Sequence, residues 1–326
     1  MRRRWVEPRS LALVPAALVP AVLAGSVLAG CSLQEVTLVQ AEDVVVAEVY
    51  VELVPGAPGQ DRLTAFLHRT LEGGTGASLP VPGARVIVTR SDGLSIEMAE
   101  TNLETCVVSL PVEGRGSCYW AAPDLAARLE PGDGLEVRIE LPGGGLLRGA
   151  ATVPGAFSLL SAPSESLCTL APSTTFEVRW TRSSGAWAYL DETLIYGLRA
   201  ALEPQGIEVE EDPLYLLGLS VSASDTTITF PSEFGVFDRF DLSQDLALVL
   251  QRGLPVGTDA KVTITAGERN YVNWVRGGNF NPSGQVKIPS LRGDGTGVFA
   301  ATVSRTFRVL AVPGGVTQGV VPCGGG

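Results

Sequence analysis

Hydrophobic and polar positions alternate along much of this chain, the pattern of strands that bury one face. In its first half the pattern predicts strands at residues 44–53, 64–69, 84–89, 94–99, 135–141 and 147–152. Asp92-Gly93 separates two of these runs and is a strong hairpin signal. Three glycines at residues 143–145 separate the last two. We therefore predict that residues 43–155 form one β-sandwich of about seven strands.

A Val-Pro-Gly sequence at residues 153–155 marks a predicted domain boundary, and a Pro/Ser-rich linker runs from there to residue 172. Further strands are predicted at residues 175–180, 188–202, 214–222, 226–230, 246–251, 260–265, 285–288 and 298–312. These runs predict that residues 156–326 form a second, β-rich domain.

One helix is predicted in this second domain. Thr265 and Glu268 have the spacing of a capping box, in which the two residues satisfy each other's backbone donors. Tyr271, Trp274 and Val275 then share one helical face. The predicted fold class is mainly β, with a sandwich followed by a β-rich domain that contains one short helix.

The first 30 residues have the layout of a secretory signal peptide, with arginines at positions 2–4 and an apolar body at 11–28. The body ends in Leu-Ala-Gly and is followed at once by Cys31, which resembles a bacterial lipobox. The resemblance implies cleavage before Cys31, lipid attachment to it and anchoring without a protein span. Residues 31–42 would then be a tether.

A transmembrane anchor is the alternative interpretation of the apolar run. Pro15 and Pro20 interrupt the run, which makes it a weak permanent span. Ser32 follows the lipobox where an Asp would be expected to retain the protein at the inner membrane. By analogy we expect the lipid to reside in the outer membrane, on a face that the sequence does not specify.

The charge balance narrows the classes of partner. The chain carries 35 acidic and 24 basic residues, for a net charge of −11. An acidic surface argues against binding to nucleic acid and to anionic headgroups. The expected attachment to a membrane is therefore through the lipid alone.

Four cysteines remain when Cys31 is assigned to the lipid, and an even number suits an oxidising compartment. They allow three connectivities, of which we favour Cys106–Cys118 and Cys168–Cys323. The first pair brackets two short predicted strands, and the second would tie the end of the chain to the start of the second domain. Four free thiols are the alternative. Metal binding is not expected, because no Cys-x-x-Cys spacing occurs.

Candidate catalytic groups are few. His68 is the only histidine, and it lies in a predicted strand with no nucleophile motif nearby. The acidic residues form two groups, at 208–212 and at 238–241, without the spacing of an EF-hand. Calcium binding or glycoside hydrolysis is possible in principle there, and a solvated loop is the simpler interpretation. We predict no catalytic residue, metal or cofactor.

Six large aromatic residues could stack on a sugar or dock a partner: Trp120, Trp180, Trp187, Tyr189, Tyr271 and Trp274. Trp180 and Trp274 fit a core role better. Trp187, at the start of a predicted strand, is the aromatic residue expected to be exposed. Trp187 and Tyr189 are the candidate ligand-binding residues.

Two segments carry a family resemblance. Residues 268–274 and 289–299 look like parts of an uncharacterised family of Gram-negative outer-membrane lipoproteins. Such proteins are often encoded beside TonB-dependent receptors, so the resemblance implies a receptor partner but no chemistry. Residues 81–88 also resemble the first strand of a transthyretin-like sandwich, which implies the fold of the first domain.

The function we expect is that of a non-enzymatic, lipid-anchored envelope protein, an accessory or ligand-capture subunit of an outer-membrane receptor or transport system. The alternative is an envelope module that binds glycans through Trp187. A hydrolase is the third and weakest hypothesis.

Overall fold

β-Strands make up most of the regular structure in the computed structural model, which describes residues 43–70, 79–106, 116–220, 222–233, 242–278 and 287–324. The strands of these residues are β1 Val45–Leu53, β2 Arg62–Arg69, β3 Leu79–Pro80, β4 Arg85–Arg90, β5 Ser95–Thr101, β6 Ser117–Trp120, β7 Gly134–Glu140, β8 Leu146–Thr152, β9 Leu167–Leu170, β10 Phe176–Arg179, β11 Ala188–Tyr196, β12 Leu214–Leu219, β13 Thr227–Phe230, β14 Asp259–Gly267, β15 Arg292–Gly293, β16 Thr296–Ala311 and β17 Val321–Pro322. The α-helices are α1 Leu103–Cys106, α2 Pro123–Ala126, α3 Leu198–Leu202, α4 Gln244–Arg252 and α5 Arg269–Gly278. The mainly β class predicted from the sequence is confirmed, and α5 is the predicted helix.

Among the described residues, fifteen strands form one long, bent sheet whose main path is β12-β11-β14-β16-β1-β2-β6-β5-β4-β7-β8-β15, while β10 and β13 pair in a separate two-stranded sheet. β1 and β2 are antiparallel neighbours, whereas β1 and β16 are parallel, with Val49 opposite Phe299. β5 pairs with β4 through its first half and with β6 through its second half. The sheet therefore turns from one layer into the next along β5.

A single large core joins these layers. β8 contacts β16 although the two strands are not paired, so the two parts of the sheet face each other. Val49 of β1, Ile139 of β7 and Phe299 of β16 are all fully buried members of the same core cluster. Alternation along β1, with every second residue buried from Val45 to Leu53, is the physical basis of this packing.

The described residues all belong to one compact unit, Ala41–Gly326. Sheet pairing joins the two sides of the boundary predicted near residue 155, since β1 pairs with β16 and β8 pairs with β15. The division into domains of residues 43–155 and 156–326 stays a prediction. In the structure the sheet crosses that boundary.

Several predictions in the second half are wrong. Residues 246–251 lie in helix α4 rather than in a strand, because Ser243 accepts a hydrogen bond from the Leu246 amide and Leu246 and Leu250 bury one helical face. The strand predicted at 188–202 ends at Tyr196, since Gly197 has a φ of 81° and α3 begins after it.

The predicted linker at 156–172 contains strand β9, which pairs in parallel with β16. The strand predicted at 285–288 is not formed at Lys287 and Ile288, and its first two residues lie outside the described part. The second half contains α3, α4 and α5, so the prediction of a single short helix there is too low.

Both favoured disulfides are present. Cys106–Cys118 links α1 to β6, and Cys168–Cys323 links β9 to the segment after β17. Two short strands are predicted between Cys106 and Cys118; residues 107–115 of that segment lie outside the described part, and β6 begins at Ser117. Each bridge ties a peripheral segment to the main sheet.

Residues 1–42, including Cys31, lie outside the described part of the chain. Within residues 43–324, apart from the gaps given above, no helix is long and apolar enough to cross a bilayer.

Candidate functional site

A cleft in the described residues lies on the solvent side of the central sheet. Alternation turns Val51 of β1 and Val262 of β14 into the core, while Glu52 and Thr263 face the other way. The cleft has a volume of about 550 Å³. Its polar and aromatic lining comprises three carboxylates, two cations, five Ser or Thr residues, one amide and two aromatic rings: Glu52, Asp61, Glu192, Arg62, Lys261, Thr64, Thr105, Thr263, Ser304, Thr306, Gln60, Trp120 and Tyr215.

Sheet pairing brings two carboxylates of this cleft, those of Glu52 and Glu192, together. Glu192 of β11 is opposite Thr263 of β14, which is in turn opposite Thr306 of β16. β1 adjoins β16 on its other side and supplies Glu52. Four adjacent strands therefore form the floor, and residues far apart in sequence share one surface.

The pKa of Glu52 is raised by its place in the cleft. The cleft walls withhold water from it, although 42% of its side-chain surface is exposed, and this loss of solvation raises its pKa above the ordinary 4.5. The Arg62 guanidinium, 4.0 Å away, opposes the rise. Repulsion from Glu192 adds to it. The two carboxylates thus interact across the cleft.

One tyrosine hydroxyl is hydrogen-bonded to Glu192, and the charge of Glu192 also acts on a second tyrosine. Tyr215 donates a hydrogen bond to Glu192 Oε1 at 3.0 Å, and burial followed by the Glu192 charge raises the pKa of Tyr215 well above 10. Burial also raises the pKa of Tyr271 on α5, with further contributions from Glu192 and Glu52. Both phenols therefore stay protonated at neutral pH and act as neutral donors beside the carboxylates.

The cleft rim is held by backbone contacts. The Arg62 guanidinium donates to the Thr105 carbonyl of α1, which is next to the disulfide-bonded Cys106. On the opposite side, the Asp61 carboxylate accepts from the Val54 amide at 2.8 Å and closes the loop between β1 and β2. These contacts place Arg62 with little side-chain freedom, which favours a preorganised site.

Helix α5 covers the sheet next to the cleft, and its start differs from the prediction. Glu268, buried just before the helix, accepts from the amides of Asn270 and Tyr271 at 2.7 and 3.0 Å. Thr265 instead belongs to β14 and bonds Ser304. The predicted capping box is therefore wrong in its Thr265 member, because the strand continues to Gly267 and leaves Glu268 as the cap.

The residues predicted to bind a ligand are separated by the structure. Trp187 is 49% exposed, as expected, and the Arg269 guanidinium lies 5.5 Å from the centre of its ring. Tyr189 is 1% exposed, so it offers no surface to a ligand. Its hydroxyl accepts a hydrogen bond from the Ser183 amide inside the core. Its assignment as a ligand contact is corrected on this ground. Trp180 and Trp274 are buried, as expected.

The remaining candidates have structural contacts. His68 stacks near Phe66, with ring centres 5.3 Å apart. In the first acidic group, Asp212 accepts from the amides of Gly197 and Arg199 at the start of α3. The second group, at 238–241, lies outside the described residues. Across the described part of the chain, no three His, Cys, Asp or Glu side chains gather as metal ligands would.

Of the cleft residues, Trp120 was a predicted candidate for stacking on a sugar, whereas the two glutamates were not predicted. Glu52 lies in an alternating strand and Glu192 follows Asp191 within a strand, and each is typical of a solvated strand face. No local motif marks them. Their proximity follows only from the order of β11, β14, β16 and β1 in the sheet.

Comparisons with known proteins give no functional assignment. No family model matches the chain, and no curated protein sequence is similar to it. Among solved structures, a DUF4785 family protein from Legionella pneumophila is 13% identical, with 68% of this chain and 51% of that chain covered and a TM-score of 0.20.

Two other structures are comparably distant. A tetra-tandem repeat in the extending region of a large adhesion protein is 10% identical over 81% of this chain and 50% of that one, with a TM-score of 0.18. Dpr11 IG1 bound to DIP-gamma IG+IG2 is 7% identical over 81% and 98%, with a TM-score of 0.18. The chain spans about half the length of the first two proteins. Scores this low do not bear on fold or function.

Proposed function

We propose that this protein is a non-enzymatic ligand-capture protein of the cell envelope, anchored in the outer membrane by lipid on Cys31. It acts as an accessory subunit of an outer-membrane receptor or transport system, with a TonB-dependent receptor as its partner. The location rests on the lipobox-like Leu28-Ala29-Gly30-Cys31 sequence. The receptor partner rests on the resemblance of residues 268–274 and 289–299 to envelope lipoproteins.

The observation that carries the capture function is the cleft beside Glu52. Its volume of about 550 Å³ lies within the range of small-molecule sites. Its polar groups converge from adjacent strands, and its rim is held by the contacts of Arg62 and Asp61. A rigid sheet with a preorganised polar cleft is suited to binding.

The anchor is tested by replacing the lipidated residue in the full chain. Cys31→Ala should move the protein from the membrane fraction to the soluble fraction, with an unchanged melting temperature of the folded part. Persistence of the variant in washed membranes would contradict the lipid anchor. A matched Cys31→Ser variant should behave in the same way, since neither side chain can form the thioether.

The partner is tested by cross-linking the tagged protein in its native envelope and identifying the products by mass spectrometry. The proposal predicts a TonB-dependent receptor among the products, in amounts that fall when Cys31→Ala releases the protein. Cross-linked products without any such receptor would contradict the accessory role.

A second candidate function is glycan binding through Trp187. The observation in its favour is the exposure of nearly half of this indole, with one side next to Arg269. Trp187→Ala should then abolish binding on a glycan array. Binding that survives this substitution would exclude Trp187 as the site.

A further inference from the structure

The cleft continues along the sheet as a groove. A neighbouring depression of about 280 Å³ shares Gln60, Lys261 and Thr306 with it and extends toward β9. The groove therefore follows the sheet across several strands. This shape suits an extended ligand with repeated groups better than a compact one.

The groups in the cleft match one class of ligand. Glu52 and Glu192 offer carboxylate oxygens, which accept hydrogen bonds from neighbouring hydroxyls more strongly than neutral acceptors do. Thr263 and Thr306 add hydroxyls that both donate and accept. Trp120 lines the cleft and is partly exposed, and an indole ring is a surface on which the apolar face of a sugar packs.

The charges of the cleft select against anions. The two carboxylates interact across the cleft, while the Arg62 guanidinium is already engaged by the Thr105 carbonyl and by Glu52. Counting Asp61 and Lys261 as well, three carboxylates and two cations line the cleft, so its formal charge is −1 and an acidic ligand meets net repulsion. A ligand rich in hydroxyls and without charge would instead satisfy them.

We propose that the cleft binds a neutral oligosaccharide, with its hydroxyls donated to Glu52 and Glu192 and a sugar ring packed on Trp120. This inference rests on the proposed capture function and names the class of ligand for that same site. It differs from the second candidate above, because the binding residues lie on the sheet face rather than at Trp187.

The test is binding of the full-length protein to an array of neutral and acidic glycans, in a detergent without a sugar headgroup. Neutral oligosaccharides should bind, and acidic ones should bind at least about tenfold more weakly. Glu192→Gln and Glu52→Gln should each weaken binding by about tenfold or more, because each removes a charged acceptor. Glu97→Gln, on an exposed pair with Arg85, is the matched control and should leave binding unchanged.

A second pair of variants separates the two aromatic sites. Trp120→Ala should abolish binding, whereas Trp187→Ala should leave it intact. If Trp120→Ala lowers the melting temperature so far that the protein unfolds, the two glutamine variants decide the result. Loss of binding with Trp187→Ala but not with Glu52→Gln or Glu192→Gln overturns the inference.

Failure of this inference is distinguishable from failure of the proposed function. An array on which no neutral glycan binds, or on which acidic glycans bind best, overturns the carbohydrate assignment while the Cys31→Ala and cross-linking results still stand. Retention of Cys31→Ala in membranes overturns the anchor and leaves the array result unaffected.

Discussion

The two faces of the central sheet differ sharply. On β14, Val262 and Ile264 are fully buried in the core, while Lys261 and Thr263, which alternate with them, face the cleft. The core face is largely apolar and close-packed, with Asp191 and Thr193 of β11 as buried polar exceptions. The other carries charges and hydroxyls that interact with one another.

The difference between the two faces indicates which of them has a role beyond stabilising the fold. A carboxylate such as Glu52, with a raised pKa and a second carboxylate nearby, does not add to stability. Perturbed groups of this kind concentrate at functional sites. The polar face is therefore the face on which we expect the ligand, and the following predictions test the contrast between the two faces.

Neighbouring residues on β16 give the largest expected contrast. Phe307 is fully buried, and its ring lies 6.2 Å from that of Phe176. Phe307→Ala should lower the free energy of unfolding by about 3–5 kcal/mol, because it leaves a cavity. Thr306→Ala, on the cleft face, should cost no more than about 1 kcal/mol. Denaturant titration checks both, and equal effects would contradict the division into a core face and a cleft face.

The two disulfides should separate stability from binding. Replacing Cys168 and Cys323 by Ala opens a loop with a separation of 155 residues and should lower the free energy of unfolding by about 2–4 kcal/mol. Replacing Cys106 and Cys118 opens a separation of only 12 and should cost less.

The second pair should nevertheless weaken ligand binding more, since α1 supplies the Thr105 carbonyl that positions Arg62. This reversal is checked by measuring the melting temperature and the ligand binding of the two double-cysteine variants. A parallel loss of both quantities in both variants would show that the cleft rim has no role of its own.

The cap of α5 should have a moderate effect. Glu268→Ala removes the acceptor of the Asn270 and Tyr271 amides and should lower the free energy of unfolding by about 1–2 kcal/mol. Thr265→Ala should have a smaller effect, because Thr265 is not the cap. A larger cost for Thr265→Ala in thermal unfolding would restore the capping box predicted from the sequence.

The smallest effect concerns pH. The pKa of Glu52 is raised in the folded state, so the folded chain holds this proton where the unfolded chain has lost it. The contribution of protonated Glu52 to the free energy of unfolding is fully present below about pH 4.5, the ordinary pKa of a glutamate. It is lost as the pH rises through the pKa that Glu52 has in the folded state. Glu52→Gln should therefore flatten the decline in stability with rising pH. An unchanged slope in unfolding titrations across the mildly acidic range would contradict the raised pKa.

Local pattern was enough to predict much of the fold. Alternation located β1, and Asp92-Gly93 located the hairpin of β4 and β5. Local pattern failed where the same pattern is typical of a strand and of a helix. The short apolar run at 246–251 suits a strand or a buried helix, and only the Ser243 cap distinguishes them.

The cleft could not be predicted in this way. Glu52 and Glu192 are separated by 192 − 52 = 140 residues, and their proximity depends on the parallel pairing of β1 with β16. The exposure of Trp187 was predictable because it lies at a strand start after Gly185. Burial of Tyr189 was not, because it depends on which face of β11 packs against Trp180 and Phe157.

The central claim is that the polar face of the sheet captures the ligand, and photo-cross-linking in the native envelope tests it most directly. A photo-reactive phenylalanine analogue is placed at Gln60 in the groove, at Trp187, and at the exposed control position Glu97. We predict covalent adducts from position 60, and none from position 97 above the unirradiated background. Adducts from position 187 without any from position 60 would contradict the claim.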